Sequence, residues 1–235
     1  MLALGNFFFK RRNALFPLAL VLLLLPSPRL FADWRIAAVV GTGMVLFGQL
    51  LRAATVGLVY IIRGGRNREV YAADLVTEGM FAHCRNPLYV GNYVGILGAL
   101  VVSNSVVAVA VGSVFFLIAY LSIVRAEEHF LAGKFADEYT EYCRRVPRFG
   151  LKLEGLGETF AASRFNWQRL VVKEYGTMII SLAGVPAILL FTRHYPHDWV
   201  SLQDPLDRGL IIVIGILLLA WGVARWLKKS GRITA

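Results

Sequence analysis

The chain has 235 residues, of which 57% are hydrophobic and 17% are charged, and its mean hydropathy is +0.60. A soluble globular protein carries about 45–50% apolar and about 25% charged residues, so this apolar excess is too large for one water-soluble core. Disordered chains are poor in aromatic and branched aliphatic residues, which excludes a disordered chain as well. The composition therefore predicts an integral membrane protein.

The formal net charge is +10, from 25 Lys and Arg against 15 Asp and Glu. In a soluble protein such a charge would favour a nucleic acid as the partner. The sequence contains no basic run interleaved with aromatic residues and no helix-turn-helix, finger or RRM-like pattern. Because basic residues of membrane proteins collect on cytoplasmic segments, we expect the charge to report topology, with the bilayer rather than a nucleic acid as the partner.

Six apolar segments follow one another along the chain as candidate membrane-spanning helices, since about 20 apolar residues cross the hydrocarbon core. They are residues 14–25, 36–62, 88–102, 106–124, 175–191 and 209–227. The predicted fold class is all-α: a polytopic helical membrane protein with about six transmembrane helices. We expect one domain over residues 1–235, with an N-terminal helical hairpin at 1–62, a core at 74–149 and a C-terminal helical hairpin at 170–235.

The first apolar segment is the weakest of the six, because Pro26 and Pro28 interrupt it. Three basic residues at 10–12 precede it, as in a secretory signal. A membrane anchor or re-entrant hairpin and a cleaved signal therefore remain alternatives for this segment. The short turn into the next span favours the hairpin.

The distribution of Lys and Arg predicts the orientation of the chain. With the N-terminus inside, 20 of the 25 basic residues lie on cytoplasmic segments or at their edge, and four lie outside. This is a strong positive-inside bias. We expect a protein of the bacterial inner membrane with both termini in the cytoplasm and with its chemistry in the cytoplasmic segments 63–87 and 125–174.

The first of these segments ends at a proline that is expected to open the third span, because proline is tolerated in the first helical turn. Arg85 and Asn86 directly precede Pro87. They would lie at the positive end of that helix, where free N–H groups favour an anion. The alternative is a membrane helix that begins at a proline, with an arginine that extends towards the headgroups.

The second segment begins with paired carboxylates, Glu127 and Glu128, directly after an apolar helix. A negative charge at a helix C-terminus opposes the helix dipole, so a helix that ended here would suggest a functional reason for the pair. A helix that continues past them would carry no such penalty. Tyr139 and Tyr142 are three residues apart and would share a helical face, and an amphipathic helix at the membrane surface is the alternative for residues 130–145.

Together, the two segments carry an ordered set of spaced motifs. The set comprises Leu75-Val76, Gly79, Phe81, Arg85-Asn86-Pro87-Leu88-Tyr89-Val90-Gly91, Asn104, Glu127-Glu128, Tyr139, Tyr142 and Val146-Pro147. In this order the motifs resemble the integral membrane methyltransferases of the isoprenylcysteine carboxyl methyltransferase and phospholipid methyltransferase type. The resemblance covers about residues 74–149, a third of the chain.

This resemblance implies S-adenosylmethionine as the cofactor, S-adenosylhomocysteine as its product, and a cofactor pocket at the cytoplasmic ends of the helices. By position it implies pocket-lining or cofactor-contacting roles for Leu75, Val76, Phe81, Asn86, Pro87, Leu88, Tyr89 and Glu127. Asn86 stands where the eukaryotic carboxyl methyltransferase has histidine, and asparagine can still donate and accept hydrogen bonds. A substrate-side arginine of that enzyme has no aligned counterpart, since Arg125 is two positions away.

The candidate catalytic residues are Arg85, Glu128 and Arg52. Arg52 lies inside the second span, and a charged side chain within a membrane is by default a functional hypothesis. We expect it to neutralise a phosphate or carboxylate of the acceptor. The alternatives are snorkelling and an ion pair with Glu174. Gln49, three residues earlier, would share its face.

The remaining polar residues carry weaker hypotheses. His83 and His129 border the motifs and are possible general bases. Cys84 is expected to pack rather than to react, and two histidines at 194 and 197 do not make a metal site, so no metal is predicted.

The predicted function is a membrane-embedded methyltransferase that uses S-adenosylmethionine and acts on a lipid or lipophilic acceptor at the cytoplasmic face. Methyl transfer from a sulfonium depends on alignment more than on acid–base groups. The alternatives are an authentic protein-S-isoprenylcysteine O-methyltransferase and a non-catalytic membrane subunit of the same fold.

Overall fold

The computed structural model describes residues 2–59, 72–195 and 200–234. These residues are all-α, without a strand, and comprise seven α-helices and two short 3-10 helices. The α-helices are α1 (Leu2–Leu18), α2 (Trp34–Leu58), α3 (Pro87–Val102), α4 (Val106–Arg145), α5 (Leu156–Ala162), α6 (Trp167–His194) and α7 (Pro205–Lys229). The 3-10 helices are Ala19–Leu24 and Gly79–Ala82. The predicted all-α membrane fold is confirmed.

Four helices in the described part of the chain, α2, α4, α6 and α7, are long and apolar enough to cross a membrane. The helix α3 is apolar but has 16 residues, which is about 24 Å at 1.5 Å per residue. Five of the six predicted segments therefore correspond to apolar helices, and the number of six membrane-spanning helices is not confirmed.

The helices at the first two predicted spans differ in extent from those spans. The helix α1 begins at Leu2 rather than at residue 14, because the apolar residues from Leu2 to Phe9 extend it towards the N-terminus. Lys10 and Arg11 consequently lie within the helix. The helix α2 ends at Leu58, since Val59 is extended (φ −130°, ψ 141°). Residues 60–71, which include the end of the predicted second span, lie outside the described residues.

The close pairing of α2 with α3 depends on glycines, which let two helix backbones approach each other. A Cβ atom added to Gly41 would lie 2.5 Å from the carbonyl oxygen of Gly98, and one added to Gly48 would lie 2.4 Å from that of Gly91. Both distances are shorter than a Cβ atom tolerates. The two helices therefore run antiparallel in contact, and α2 brings its C-terminal half beside the beginning of α3.

The helix α3 is the centre of the bundle, since it contacts α2, α4 and α6. The helix α1 packs along α4, where Phe8 and Phe9 join a buried cluster with Phe116 and Ile123. Together with the 3-10 helix that follows, α1 runs antiparallel to the first half of α4. Gly5 lies beside Ser122 and Pro28 lies beside Val106.

The helices α6 and α7 form an antiparallel pair at the C-terminus. At one end, Arg193 donates hydrogen bonds to Asp204 (2.8 Å) and Asp207 (3.1 Å). At the other end, Lys228 donates to the carbonyl of Val172 (2.9 Å). The two described ends of the chain and the beginning of α3 consequently lie at the same end of the bundle, called here the site end.

Candidate active site

The segment that leads into α3 is built around a proline and an asparagine. Gly79 opens a 3-10 turn at a positive φ of 57°, a conformation that favours glycine. Asn86 is the N-cap of α3, and Pro87 is its first residue, as the sequence predicts. Asn86 is 3% exposed, and its side chain does not cap the helix. It points instead towards the paired carboxylates of α4.

The helix α4 does not end at Glu127 and Glu128 but continues past them to a kink at Ala136 (φ 40°, ψ −110°), and a second helical stretch follows to Arg145. The two carboxylates therefore carry no end-of-helix penalty. From Val106 to Glu127 the helix rises about 32 Å, close to the thickness of the roughly 30 Å hydrocarbon core. The part of α4 before the carboxylates is therefore long enough to cross the core.

Glu127 is 3% exposed and accepts a hydrogen bond from the hydroxyl of Tyr89 (2.5 Å). Tyr89 lies in the first turn of α3, and its ring lies 5.7 Å from the ring of Tyr120 on α4. This contact joins the two helices and holds the Glu127 carboxylate in one orientation at the site end.

Glu128 lies between two arginines. Its Oε1 is 3.6 Å from an Nη of Arg85, and its Oε2 accepts a hydrogen bond from Nη2 of Arg148. The amide of Asn86 donates to the same carboxylate at 3.5 Å. Arg85 and Arg148 are positively charged, and Glu128 and the preceding Glu127 are negatively charged, so the cluster contains side chains of both signs.

The chain that follows α4 closes over this cluster. The backbone N–H of Arg85 donates to the carbonyl of Pro147 (2.9 Å), and the Asn86 amide donates to the carbonyl of Arg148 (3.2 Å). His83 is buried and is held from both sides, by the carbonyl of Lys152 at Nδ1 (2.7 Å) and by the hydroxyl of Thr159 at Nε2 (2.8 Å). These contacts join the two segments that the sequence predicted to carry the chemistry.

The electrostatic environment at the entrance to α3 favours a charged arginine and a neutral thiol. Burial lowers the pKa of Arg85, but the interactions with Glu128, Cys143 and Tyr139 together outweigh burial, so that the net pKa lies above the ordinary value. Burial raises the pKa of the neighbouring Cys84. Because a raised pKa keeps the thiol protonated, the prediction that Cys84 packs rather than reacts agrees with its environment.

Three buried polar atoms of the cluster have no hydrogen-bond partner among the described residues. They are Nε of Arg85, Nε of Arg148 and Oδ1 of Asn86. Two are donors and one is an acceptor. A buried polar atom without a partner costs about 1–3 kcal/mol, so this set suits a ligand with both an acceptor group and a donor group.

The other predicted cofactor residues are distributed around this cluster. Phe81 is buried, and its carbonyl accepts a hydrogen bond from Tyr142 (2.8 Å). Leu75 packs on a buried group that includes Tyr142, and Val76 is half-buried close by in the chain. Leu88 packs with residues of α2 and α6, away from the carboxylates.

Arg52 is not part of the carboxylate cluster. It is 7% exposed, and it donates to Oε2 of Glu174 from Nε (3.0 Å) and from Nη2 (2.5 Å). Its Nη1 donates to the side chain of Asn92. Of the alternatives for Arg52, the ion pair with Glu174 is therefore present.

Two participants were not selected from the sequence, namely Arg148 and Asn92. Arg148 directly follows the Val146-Pro147 motif, and its position after that motif was the signal that could have identified it. Asn92 lies three residues after Tyr89, which puts it one turn further along a neighbouring face of α3. A polar residue at that spacing in an apolar helix was the available signal.

The other two described histidines, His129 and His194, have different environments. His129 is exposed on α4. His194 pairs with Asp207 (2.6 Å), and residue 197 lies outside the described residues. Within the described ranges, no group of three or more His, Cys, Asp or Glu side chains could hold a metal ion.

Comparison with known proteins bears directly on this arrangement. The family model described as phospholipid methyltransferase matches residues 36–138, which include most of α2, all of α3 and both glutamates. The predicted family resemblance is confirmed. No solved structure matches the chain.

Three similar proteins illustrate the range of relatives. The nickel-cobalt-cadmium resistance protein NccN of Alcaligenes xylosoxydans xylosoxydans is 34% identical over 49% of this chain and 51% of its own length. The cobalt-zinc-cadmium resistance protein CzcN of Cupriavidus metallidurans is 40% identical over 41% of this chain and 43% of its own. The protein-S-isoprenylcysteine O-methyltransferase of Schizosaccharomyces pombe is 28% identical over 45% of each chain. The chain thus spans about half the length of the curated relatives it matches.

Proposed function

We propose that the chain is an integral membrane methyltransferase that takes its methyl group from S-adenosylmethionine and transfers it to a lipid or lipophilic acceptor at the cytoplasmic face. The observation that carries this proposal is the cluster of Arg85, Asn86, Glu127, Glu128 and Arg148 at the site end. It lies within or directly after the region that matches a methyltransferase family.

The chemistry of the cluster suits this cofactor. S-adenosylmethionine carries an ammonium and a carboxylate on its amino-acid part, a diol on its ribose and an amino group on its adenine. The carboxylate of Glu127 suits an ammonium or a diol, and the free Nε donors of Arg85 and Arg148 suit a carboxylate. The free Oδ1 of Asn86 suits an N–H donor.

When it is bound, the cofactor supplies an electrophilic methyl group on a sulfonium. The residues of the chain then have three tasks. Glu127, oriented by Tyr89, holds the cofactor in place. Arg85 and Glu128 form the charged wall of the site and lie close to where the acceptor would react. The segment from Pro147 to Lys152 excludes water by closing over the entrance to α3.

A binding measurement tests this proposal without knowledge of the acceptor. We expect the detergent-purified chain to bind S-adenosylhomocysteine in isothermal titration. Glu127→Gln should weaken binding about tenfold or more, because a hydrogen bond to a charged group contributes about 1.5–3 kcal/mol. Glu141→Gln, an exposed carboxylate on the same helix, is the matched control. Absence of binding to the folded wild-type chain would contradict the proposal and favour a non-catalytic subunit.

A labelling experiment identifies the acceptor class. The chain is incubated with methyl-labelled S-adenosylmethionine and total membrane lipids, and the labelled species are identified by mass spectrometry. Label in the lipid fraction is the expected result. Label found solely on an added prenylcysteine would favour an authentic protein-S-isoprenylcysteine O-methyltransferase, the alternative suggested by the yeast relative.

The two resistance proteins support a second candidate role, in tolerance of metal ions. Both names include cobalt and cadmium. We infer that a methylated product of this enzyme could serve such tolerance. Growth in cobalt and cadmium of a strain that lacks the gene, complemented with the wild type or with Glu127→Ala, tests this role. Equal rescue by both would dissociate tolerance from methyl transfer.

A further inference from the structure

A second polar cluster lies deeper in the bundle and takes no part in the cofactor site. It consists of Gln49 and Arg52 on α2, Asn92 on α3 and Glu174 on α6, and is called here the inner tetrad. Gln49, Arg52 and Glu174 are 5%, 7% and 7% exposed. Ionisable and amide side chains at such a position are costly in a membrane, which makes a functional explanation the first to test.

The inner tetrad lies on the side of α3 that faces α2 and α6, where Leu88 also packs. Asn92 is four residues after Leu88, so its side chain lies one turn further along that side. Counted from the ends of α2, α3 and α6 at the site end, the tetrad lies about 8–14 Å inside the bundle, with Gln49 the deepest. Measured along the helices, the tetrad and the carboxylate cluster both lie within about 14 Å of the site end.

The charge in the tetrad is already balanced. Both contacts that Arg52 makes through Nε and Nη2 go to Glu174, and Nη1 is used by Asn92. An incoming phosphate or carboxylate would have to displace Glu174 and leave it buried without a partner. Removing one partner from a buried ion pair is strongly unfavourable. The tetrad is therefore a poor receptor for an anion, which differs from the role first expected for Arg52.

The side-chain amide of Gln49 has an unused hydrogen-bond acceptor. Its Oε1 is buried and has no hydrogen-bond partner among the described residues. Its neighbour across the interface is Gly95, where an added Cβ atom would lie 3.7 Å from Nε2 of Gln49. The glycine leaves space beside the amide. A buried carbonyl oxygen without a partner requires a donor, such as an O–H or N–H group.

From these contacts we propose that the inner tetrad binds the polar head of the methyl acceptor, and that Gln49 accepts a hydrogen bond from an O–H or N–H group of that head. The proposal rests on the function proposed above and narrows it. The acceptor is a lipophilic alcohol, phenol or amine rather than a molecule whose head is solely anionic. Arg52, Asn92 and Glu174 act as positioning residues that hold the site neutral and rigid.

The test compares Gln49→Met, which keeps the length of the side chain but removes the acceptor, with the wild type. Three acceptor probes are used with methyl-labelled S-adenosylmethionine: a long-chain alkylphenol, phosphatidylethanolamine and phosphatidic acid. The first two separate a hydroxyl source from an amine source, and the third represents an anionic head. Thr55→Val is the matched control, because Thr55 is also buried on α2 but its hydroxyl bonds to the carbonyl of Leu51 in its own helix (2.7 Å).

We expect Gln49→Met to raise the KM for the phenol or the amine about fivefold or more, with a smaller change in kcat, since a hydrogen bond contributes about 1 kcal/mol or more. The affinity for S-adenosylhomocysteine should change less than about twofold. A readout without turnover is the thermal stabilisation of the chain by the same probe, which should fall in Gln49→Met and persist in Thr55→Val.

The outcomes separate this inference from the proposed function. If S-adenosylhomocysteine binds and lipid is methylated, but Gln49→Met leaves KM and thermal stabilisation unchanged, the inference about the tetrad is wrong and the proposed function stands. A preference for phosphatidic acid over both other probes would also overturn it. If the folded wild type neither binds S-adenosylhomocysteine nor transfers label, the proposed function itself fails, and the inference fails with it.

Discussion

Replacement of Glu174 by leucine isolates the energetic role of the buried ion pair. Two hydrogen bonds, of 3.0 and 2.5 Å, join the guanidinium of Arg52 to one oxygen of Glu174, and both side chains are less than a tenth exposed. Without Glu174 the guanidinium keeps the side chain of Asn92 as a partner but loses its counter-charge. Breaking a buried pair in this way costs about 3–5 kcal/mol.

The expected change in thermal stability follows from this free energy. For a chain of 150–250 residues, 1 kcal/mol corresponds to a shift of about 2–4 °C, so that Glu174→Leu should lower the Tm by about 6–20 °C. The detergent-purified chain is heated to a series of temperatures, and the fraction that remains folded is measured by size-exclusion chromatography. Glu141→Leu is the control, because Glu141 forms an exposed pair with Arg145 (3.5 Å), and such pairs contribute less than about 1 kcal/mol.

A double-mutant cycle decides between an ion pair and simple packing. Arg52→Met combined with Glu174→Leu should recover much of the loss, since no uncompensated charge remains in the bundle. Hydrogen bonds between membrane helices contribute about 0.6 kcal/mol on average. A loss no larger than this in Glu174→Leu, or losses that simply add in the double variant, would refute the view that the pair is desolvated and charged.

Two further predictions concern packing and thiol chemistry. Gly48→Leu should prevent folding or lower the Tm strongly, because its Cβ atom would lie 2.4 Å from the carbonyl oxygen of Gly91. Gly43→Leu, whose Cβ atom would have no atom within 4 Å, should be tolerated. Equal stability of the two variants would contradict the α2–α3 contact. At pH 7.5, iodoacetamide should modify Cys84 more slowly than Cys143, because burial raises the pKa of Cys84 and Cys143 is less buried. The rates are measured by mass spectrometry of peptides. Faster modification of Cys84 would contradict the buried environment of its thiol.

Much of the candidate site was accessible from residue order alone. Proline is tolerated in the first turn of a helix but not in its interior, so a helix that contains Pro87 is expected to begin there, with Arg85 and Asn86 directly before it. The likeness of Glu127 and Glu128 to a family motif was equally readable. Their local structure was harder to predict, because nothing near them in the sequence indicates whether the helix ends or continues.

The boundaries of the first two helices illustrate the limit of local patterns. Apolar residues on both sides of Lys10 and Arg11 belong to one helix, α1, and Phe8 and Phe9 pack that helix on α4. A hydropathy window divides it at the charges. Packing against a distant segment decided the outcome, and a window of adjacent residues contains no information about such packing.

Composition and periodicity by themselves determined that this chain is an all-α membrane protein, because 57% apolar residues can be buried only in a bilayer and a bilayer requires helices or closed barrels. The distribution of charge predicted which end of the bundle faces the cytoplasm. The partner of Arg52 was decided by the tertiary structure. The sequence left acceptor binding, snorkelling and Glu174 open, and the 122 residues between Arg52 and Glu174 are brought together only because α6 packs beside α2.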